Sequence, residues 1–201
     1  MVNVSSSCRT VDDLDIGSTV LAYNDLGSLS GFHCVAFFVD KLIRERKLVA
    51  ASPKLFRSLK CSGGHVKSVK AVADGLADVC ALDCCVWSNL RRTDSASLRS
   101  LRPLKGGLLG PHPVQPVVAS KRLSPGLIKR ITAAFVSLTQ PVLTGANMSH
   151  YTAITEDYYA VIRKQLDNST SVKHMLAQIA ASETSQATAD AVVEDDTGDC
   201  A

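Results

Sequence analysis

The sequence predicts an α/β fold built on a mainly parallel sheet. Three apolar runs of strand length, at residues 19–24, 56–61 and 78–83, are separated by stretches whose apolar residues recur at helical spacing. Such alternation favours parallel neighbours, because each return to the sheet then runs through a helix. Small and polar residues follow the first two runs directly, and a Pro/Gly cluster at 103–116 marks a crossover or hinge. With 201 residues, the chain can bury one good core or form two small lobes. A hydrophobic share of 46% and a charged share of 20% are those of a globular protein, which excludes a disordered or fibrous class. No apolar run reaches the roughly 18–20 residues that span a bilayer, so no membrane insertion is predicted.

The elements follow in order. Residues 1–18 read as a polar, poorly ordered lead-in, and 19–24 as a buried strand. Residues 31–47 read as a helix, with Val35, Phe38, Val39, Leu42 and Ile43 on one stripe and Lys41, Arg44, Glu45 and Lys47 facing water. The strand at 56–61 runs into Ser62-Gly63-Gly64-His65. A helix over 66–76 then turns Val66, Val69, Val72 and Ala73 inward and stops at Gly75. The strand at 78–83 leads into a helix over 84–92 that carries the only Trp, Trp87. Beyond the Pro/Gly cluster, 114–120 reads as a strand. Ser124-Pro125 starts a helix with its body at 127–138, and Thr155 caps a last one over 155–165. Helix persists to about Ala180, and the acidic, Ser/Thr/Ala-rich remainder is expected to be disordered. The resulting domains are the lead-in (1–18), an α/β lobe (19–103), a return strand with helices (104–166) and a largely disordered tail (167–201).

Charge is distributed unevenly. Six of the 19 acidic groups lie beyond Met175, where there is no Lys or Arg, so the rest of the chain carries 22 basic groups against 13 acidic. A basic body suits an anionic ligand. Arg91, Arg92, Arg99, Arg102 and Lys105 form a basic stretch, but only Trp87 is near for stacking. The stretch therefore reads as a solvated face and no nucleic-acid partner is predicted. The seven cysteines are odd in number, and no basic-then-apolar leader opens the chain. Reduced thiols and a cytoplasmic location are therefore expected. Cys34, Cys80 and Cys84 fall on apolar faces. Cys61, His65, Cys80, Cys84 and Cys85 show neither a CxxC pair nor a His pair at ligand spacing, so no metal or other cofactor is predicted.

Three polar positions fall at the carboxyl ends of the three predicted strands: the Ser28-Leu29-Ser30-Gly31 loop, the Gly63-Gly64-His65 loop and Asp83. In an open α/β sheet the ligand crevice lies along that edge. Serine hydroxyls and the free N–H groups of a helix start donate hydrogen bonds to an oxyanion, and His65 adds a donor or a charge. Asp83 accepts a proton from a singly protonated ligand or orients His65. Each has a plainer role as well: Ser30 as a helix cap, His65 as the opening residue of its helix, Asp83 as the cap of the helix at Cys84.

Taken together, Asn24-Asp25-x-Gly-Ser28-Leu29-Ser30-Gly31-Phe32, Ser62-Gly63-Gly64-His65 and Ala71-Val-Ala-Asp-Gly75-x-Ala-Asp78-Val-Cys-Ala-Leu-Asp83 resemble the phosphate/phosphonate-type substrate-binding proteins of ABC transporters. The resemblance runs over about residues 19–160, with Pro113–Ser120 similar to the family's return strand and Glu156-Asp157-Tyr158-Tyr159 to its C-terminal helix start. It implies a periplasmic-binding-protein-like fold of two lobes that close over an anion by a hinge. Here one lobe is complete and the other partial, since only residues 1–18 precede the first recognised strand. It also implies that Ser28, Leu29 through its N–H, Ser30 and His65 contact the ligand, with Asp83 close by. Three positions depart from the family pattern: Leu26 replaces its usual Pro, Gly64 a small polar residue, and Phe32 a hydroxylated aromatic.

The function so implied is non-catalytic binding of a small phosphorus oxyanion (phosphate, phosphite or phosphonate), with a transporter as the family's partner. The alternative is a truncated remnant or a protein-interaction domain without a ligand. An enzyme is a third reading, because Ser30, His65 and Asp83 are the residue types of a nucleophilic triad. The G-x-S-x-G elbow is not met, with Leu29 standing between Ser28 and Ser30. Pyrimidine-synthase-like chemistry enters by fold analogy alone.

Overall fold

The computed structural model describes residues 1–46, 56–93, 98–107, 109–139, 143–144 and 148–195. The chain divides into two compact units, one of Met1–Gly110 with Gln165–Ala201 and the other of Pro111–Lys164. The first unit is built on a five-stranded sheet of β1 (Val2–Asn3), β2 (Val20–Tyr23), β3 (Ser58–Cys61), β4 (Val79–Cys80) and β5 (Leu101–Arg102). Their order is β3-β2-β4-β1-β5. β2 pairs in parallel with β3 and β4, in the registers Leu21↔Leu59 and Leu21↔Val79, while β1 runs antiparallel to β4 and β5. The sheet is therefore mainly parallel, as the strand–helix alternation predicts.

All four residues of β2 are buried, as expected of a parallel strand covered on both faces. Leu21 and Tyr23 face one side. There they pack with Leu59, with Val35, Ala36 and Val39 of α1 (Cys34–Arg46), and with Val172, Leu176 and Ala180 of the C-terminal helix. Val20 and Ala22 face the other side, against Val69 and Val72 of α2 (His65–Ala73) and Leu90 of α3 (Cys84–Thr93). The chain leaves β2 over one face to reach β3, then crosses the other face to reach β4. β2 is consequently the strand at which the winding reverses, and in open α/β sheets ligands bind at the carboxyl end of such a strand.

Several sequence expectations need correction. Residues 1–18 are not a loose lead-in. Val2 is 1% exposed and inserted between β4 and β5, and Arg102 donates to the carbonyls of Ser6 and Cys8. Thr10 and Asp13 form a reciprocal capping box, and hydrogen bonds from the Thr10 and Arg9 backbone hold the Asp13 carboxyl below its usual range. A two-residue strand among polar residues has no period to detect, which is why the lead-in reads as featureless.

The tail also differs. Helix is expected only to about Ala180 in a largely disordered tail, but it runs over Thr170–Asp195, and Val172, Leu176 and Ala180 enter the core at i, i+4, i+8 spacing. Residues 196–201 lie outside the described residues, as does Lys47 at the expected end of α1. On α1 Val35, Val39 and Leu42 are buried as expected, but Phe37 is buried as well and Phe38 only half-buried. Val66 is exposed on α2, and Cys84 is exposed on the first turn of α3.

In the second unit, 114–120 forms no strand among the described residues, and Val114, Val117 and Val118 are exposed. α4 (Pro125–Val136) starts as its sequence predicts, with the Ser124 hydroxyl accepting from the Leu127 N–H at 3.3 Å and Pro125 at its first turn. A 3-10 turn over Glu156–Tyr159 leads into α5 (Ala160–Asn168), and the Thr155 side chain makes no cap hydrogen bond there. Tyr159 donates its hydroxyl to the Val114 carbonyl at 2.7 Å. Residues 170–195 are α6 below.

Candidate functional site

The loop after β2 is shaped by three side chains. Asp25 Oδ1 accepts from the Gly27 N–H at 2.7 Å, an Asx turn that redirects the chain. Ser28, not Ser30, is the helix cap, its Oγ accepting from the Gly31 N–H at 3.1 Å. The helix then opens as a π-turn over Leu29–His33, with the Ser28 carbonyl accepting from both Phe32 N (3.2 Å) and His33 N (3.0 Å). Among the described residues, the N–H groups of Leu29 and Ser30 take no acceptor, as the first donors of a helix do not. Gly31 has a packing reason. A Cβ there would lie 1.7 Å from Asn24 Oδ1 and 3.2 Å from Ser28 Oγ.

The loop after β3 is knotted to the end of β2 by Ser62. Its N–H donates to the Tyr23 carbonyl at 2.8 Å, and its hydroxyl lies 2.7 Å from the hydroxyl of the fully buried Ser68 and 2.9 Å from the Gly64 carbonyl. Gly63, at φ 73°, makes the left-handed turn that brings His65 to the start of α2. Two helix starts thus stand side by side at the carboxyl ends of adjacent parallel strands. They are joined directly, with Ser30 Oγ 3.2 Å from His65 Nε2. The other ring nitrogen, His65 Nδ1, is buried and has no partner among the described residues.

Asp83 stands at the end of β4, at the same sheet edge, and takes its plain role. Its Oδ1 accepts from Cys85 N at 2.8 Å and Val86 N at 3.2 Å, capping α3. Its hydrogen bonds do not reach Ser30 or His65. Asp83, Cys84 and Cys85 bring their ligand atoms within 4.8 Å of one another, the one such group among the described residues. Desolvation, with the adjoining Cys84 thiol and Asp83 carboxylate, pushes the Cys85 thiol up. Asn24, Ser62 and Ser68 hold the site in shape; the first two stand in the motifs of the sequence without an assigned role, and Ser68 goes unread. Ser68 was detectable only as a polar residue among the valines of the α2 face.

The sheet order, the helix starts at its carboxyl edge and the donor-rich loop define a binding-protein lobe of the α/β, periplasmic type. The family model of ABC transporter, phosphonate, periplasmic substrate-binding protein matches residues 1–159, and the chain belongs to that family. The match begins at residue 1, so the segment carrying β1 is part of it. Among solved structures, the fold is similar to that of a binding protein component of an ABC phosphonate transporter from Pseudomonas aeruginosa. The TM-score is 0.62 and the identity 18%, over 94% of this chain and 68% of that one. At that identity the likeness concerns the fold. No curated protein sequence matches the chain. No helix among the described residues is long and apolar enough to cross a membrane.

Proposed function

We propose that the chain binds a small phosphorus oxyanion (phosphate, phosphite or phosphonate) at the carboxyl ends of β2 and β3 without transforming it. Family membership supports a small ligand and a transporter partner. The observation that carries the reading is the junction of two helix starts through Ser30 and His65. Ser28 spends its oxygen as a cap but keeps its proton to donate, and the Leu29 and Ser30 N–H groups add two further donors. Such donors, with two helix dipoles behind them, satisfy an oxyanion without a formal counter-charge. Asp83 borders this site as the cap of α3.

Two features argue for binding rather than hydrolysis. A nucleophilic triad needs a carboxylate on the far nitrogen of its histidine. Here His65 Nδ1 has no partner, and the Asp83 carboxylate holds α3 instead. A second reading, an interaction domain, is favoured by the exposed apolar residues of the second unit, with Val118 at 81%. Thermal unfolding with phosphate, phosphite, methylphosphonate and sulfate separates the readings. A ligand at about 100 times its Kd adds about 2.7 kcal/mol to the folded state, so the melting temperature rises with at least one phosphorus oxyanion. No shift at millimolar concentration of any of them rules out retained binding.

A further inference from the structure

We propose that His65 works on the oxyanion through Ser30: the imidazole Nε2–H donates to Ser30 Oγ, which frees the serine proton to be given to the ligand. The proposal rests on the binding reading above and concerns the direction of one hydrogen bond. The 3.2 Å contact between Ser30 Oγ and His65 Nε2 admits two proton arrangements. In one, Ser30 donates its proton to a bare Nε2, and the ring proton must then sit on Nδ1. In the other, Nε2 carries the ring proton and donates it to Ser30 Oγ, leaving Nδ1 as a bare lone pair.

Burial decides between them. His65 Nδ1 is shielded from solvent and meets no hydrogen-bond partner among the described residues. Orphaned buried N–H groups are rarer in proteins than under-satisfied acceptors, so the proton belongs on Nε2, where it has a partner.

The consequence for the site is chemical. With its oxygen accepting from His65, Ser30 directs its own O–H elsewhere, and no other acceptor for that proton occurs among the described residues. The hydroxyl therefore joins the Ser28 hydroxyl and the Leu29 and Ser30 N–H groups as a fourth donor at the π-turn start of α1. A hydroxyl that accepts a hydrogen bond while donating another is a stronger donor, because the two bonds polarise each other. His65 is thus a positioning residue for Ser30, held in place because Gly63 and Ser62 shape the turn before α2.

Imidazole 15N NMR of the 15N-labelled protein tests the direction without any ligand. Expected for the neutral ring is a protonated Nε2 and a bare Nδ1; protonation at Nδ1 in the neutral ring overturns the proposal. Methylphosphonate binding to three variants supplies the second arm. His65→Gln retains an N–H donor at about the Nε2 position and is expected to bind within about threefold of wild type, whereas His65→Ala and His65→Glu lose about tenfold or more. A folded His65→Gln that binds as weakly as His65→Ala overturns the relay. If wild-type protein binds neither methylphosphonate nor inorganic phosphate, the binding reading fails, and the NMR result still decides the hydrogen-bond direction.

Discussion

Gly31 and Asn24 are packed so closely that a Cβ on the glycine would stand 1.7 Å from Asn24 Oδ1 and 2.9 Å from Asn24 Cγ. The asparagine oxygen is buried and without a hydrogen-bond partner among the described residues. This contact brings the end of β2 against the start of α1 and sets the geometry of the loop between them. Gly31→Ala is expected to destabilise the fold by about 1–3 kcal/mol, since overpacking forces backbone or rotamer shifts. Asn24→Ala in the same chain should restore most of that loss, giving a clear coupling term in a urea-unfolding double-mutant cycle.

Gly64 behaves in the opposite way. A Cβ there meets nothing within 4 Å, and its φ of 171° is ordinary extended backbone. Gly64 is also the N-cap of α2 and supplies no cap hydrogen bond. Gly64→Ser is therefore expected to raise stability by about 0.5 kcal/mol, from reduced unfolded-state entropy and a new cap. Because the added hydroxyl lies beside His65, affinity for methylphosphonate should rise as well. Calorimetric titration and thermal melts check both.

Asp83 separates a cap from a ligand contact. Asp83→Ala should cost about 1 kcal/mol through loss of the cap to Cys85 and Val86, whereas Asp83→Asn keeps a capping oxygen. Asp83→Asn is expected to leave both stability and oxyanion affinity near wild type, measured by melting and by calorimetric titration.

The C-terminal helix belongs to the core. Leu176 of α6 is fully buried, beside Val172 and Ala180, in the cluster that also holds Leu21, Tyr23, Val35 and Leu59. Leu176→Ala should destabilise the protein by about 2–5 kcal/mol in urea unfolding, the range for cavities left by buried leucines. A cost below about 1 kcal/mol would detach the helix from the core.

His33 makes stability depend on pH. Desolvation, and secondarily the charge of Lys173, lower its pKa below the ordinary value of 6.5. The unfolded chain therefore binds the proton more readily. The contribution of His33 is complete above about pH 6.5 and is lost as pH falls through the lowered folded value. Thermal melts between pH 7.5 and about 5 should show a falling Tm, and His33→Gln should flatten that slope.

The strands at 19–24, 56–61 and 78–83 and the helices after them were legible because apolar periodicity and turn residues are local signals. So were the Ser124-Pro125 helix start and the stop at Gly75. β1 and β5 were not: β4 is as short but lies in an apolar run at 78–83, whereas β1 and β5 stand among polar residues and owe their pairing to the strands that flank Val2. The stretch at 114–120 misleads for the converse reason. Its valines have strand propensity, but a strand exists only where a partner offers its hydrogen bonds.

The same division runs through the site. Serine, glycine and histidine at the carboxyl ends of predicted strands were enough to point to an oxyanion-binding edge, because helix starts and small-residue loops carry that chemistry wherever they occur. Which residues meet there was a tertiary matter. The order β3-β2-β4 sets the loops after β2 and β3 next to each other, so that Ser30 reaches His65 across 35 positions of chain. It also buries His65 Nδ1, on which the direction of the Ser30 bond depends, whereas the Asp83 cap of α3 is local and was open to a reading of the sequence. Residue types and local spacing limited the chemistry available; pairing and burial, which are properties of the assembled sheet, selected how it is used.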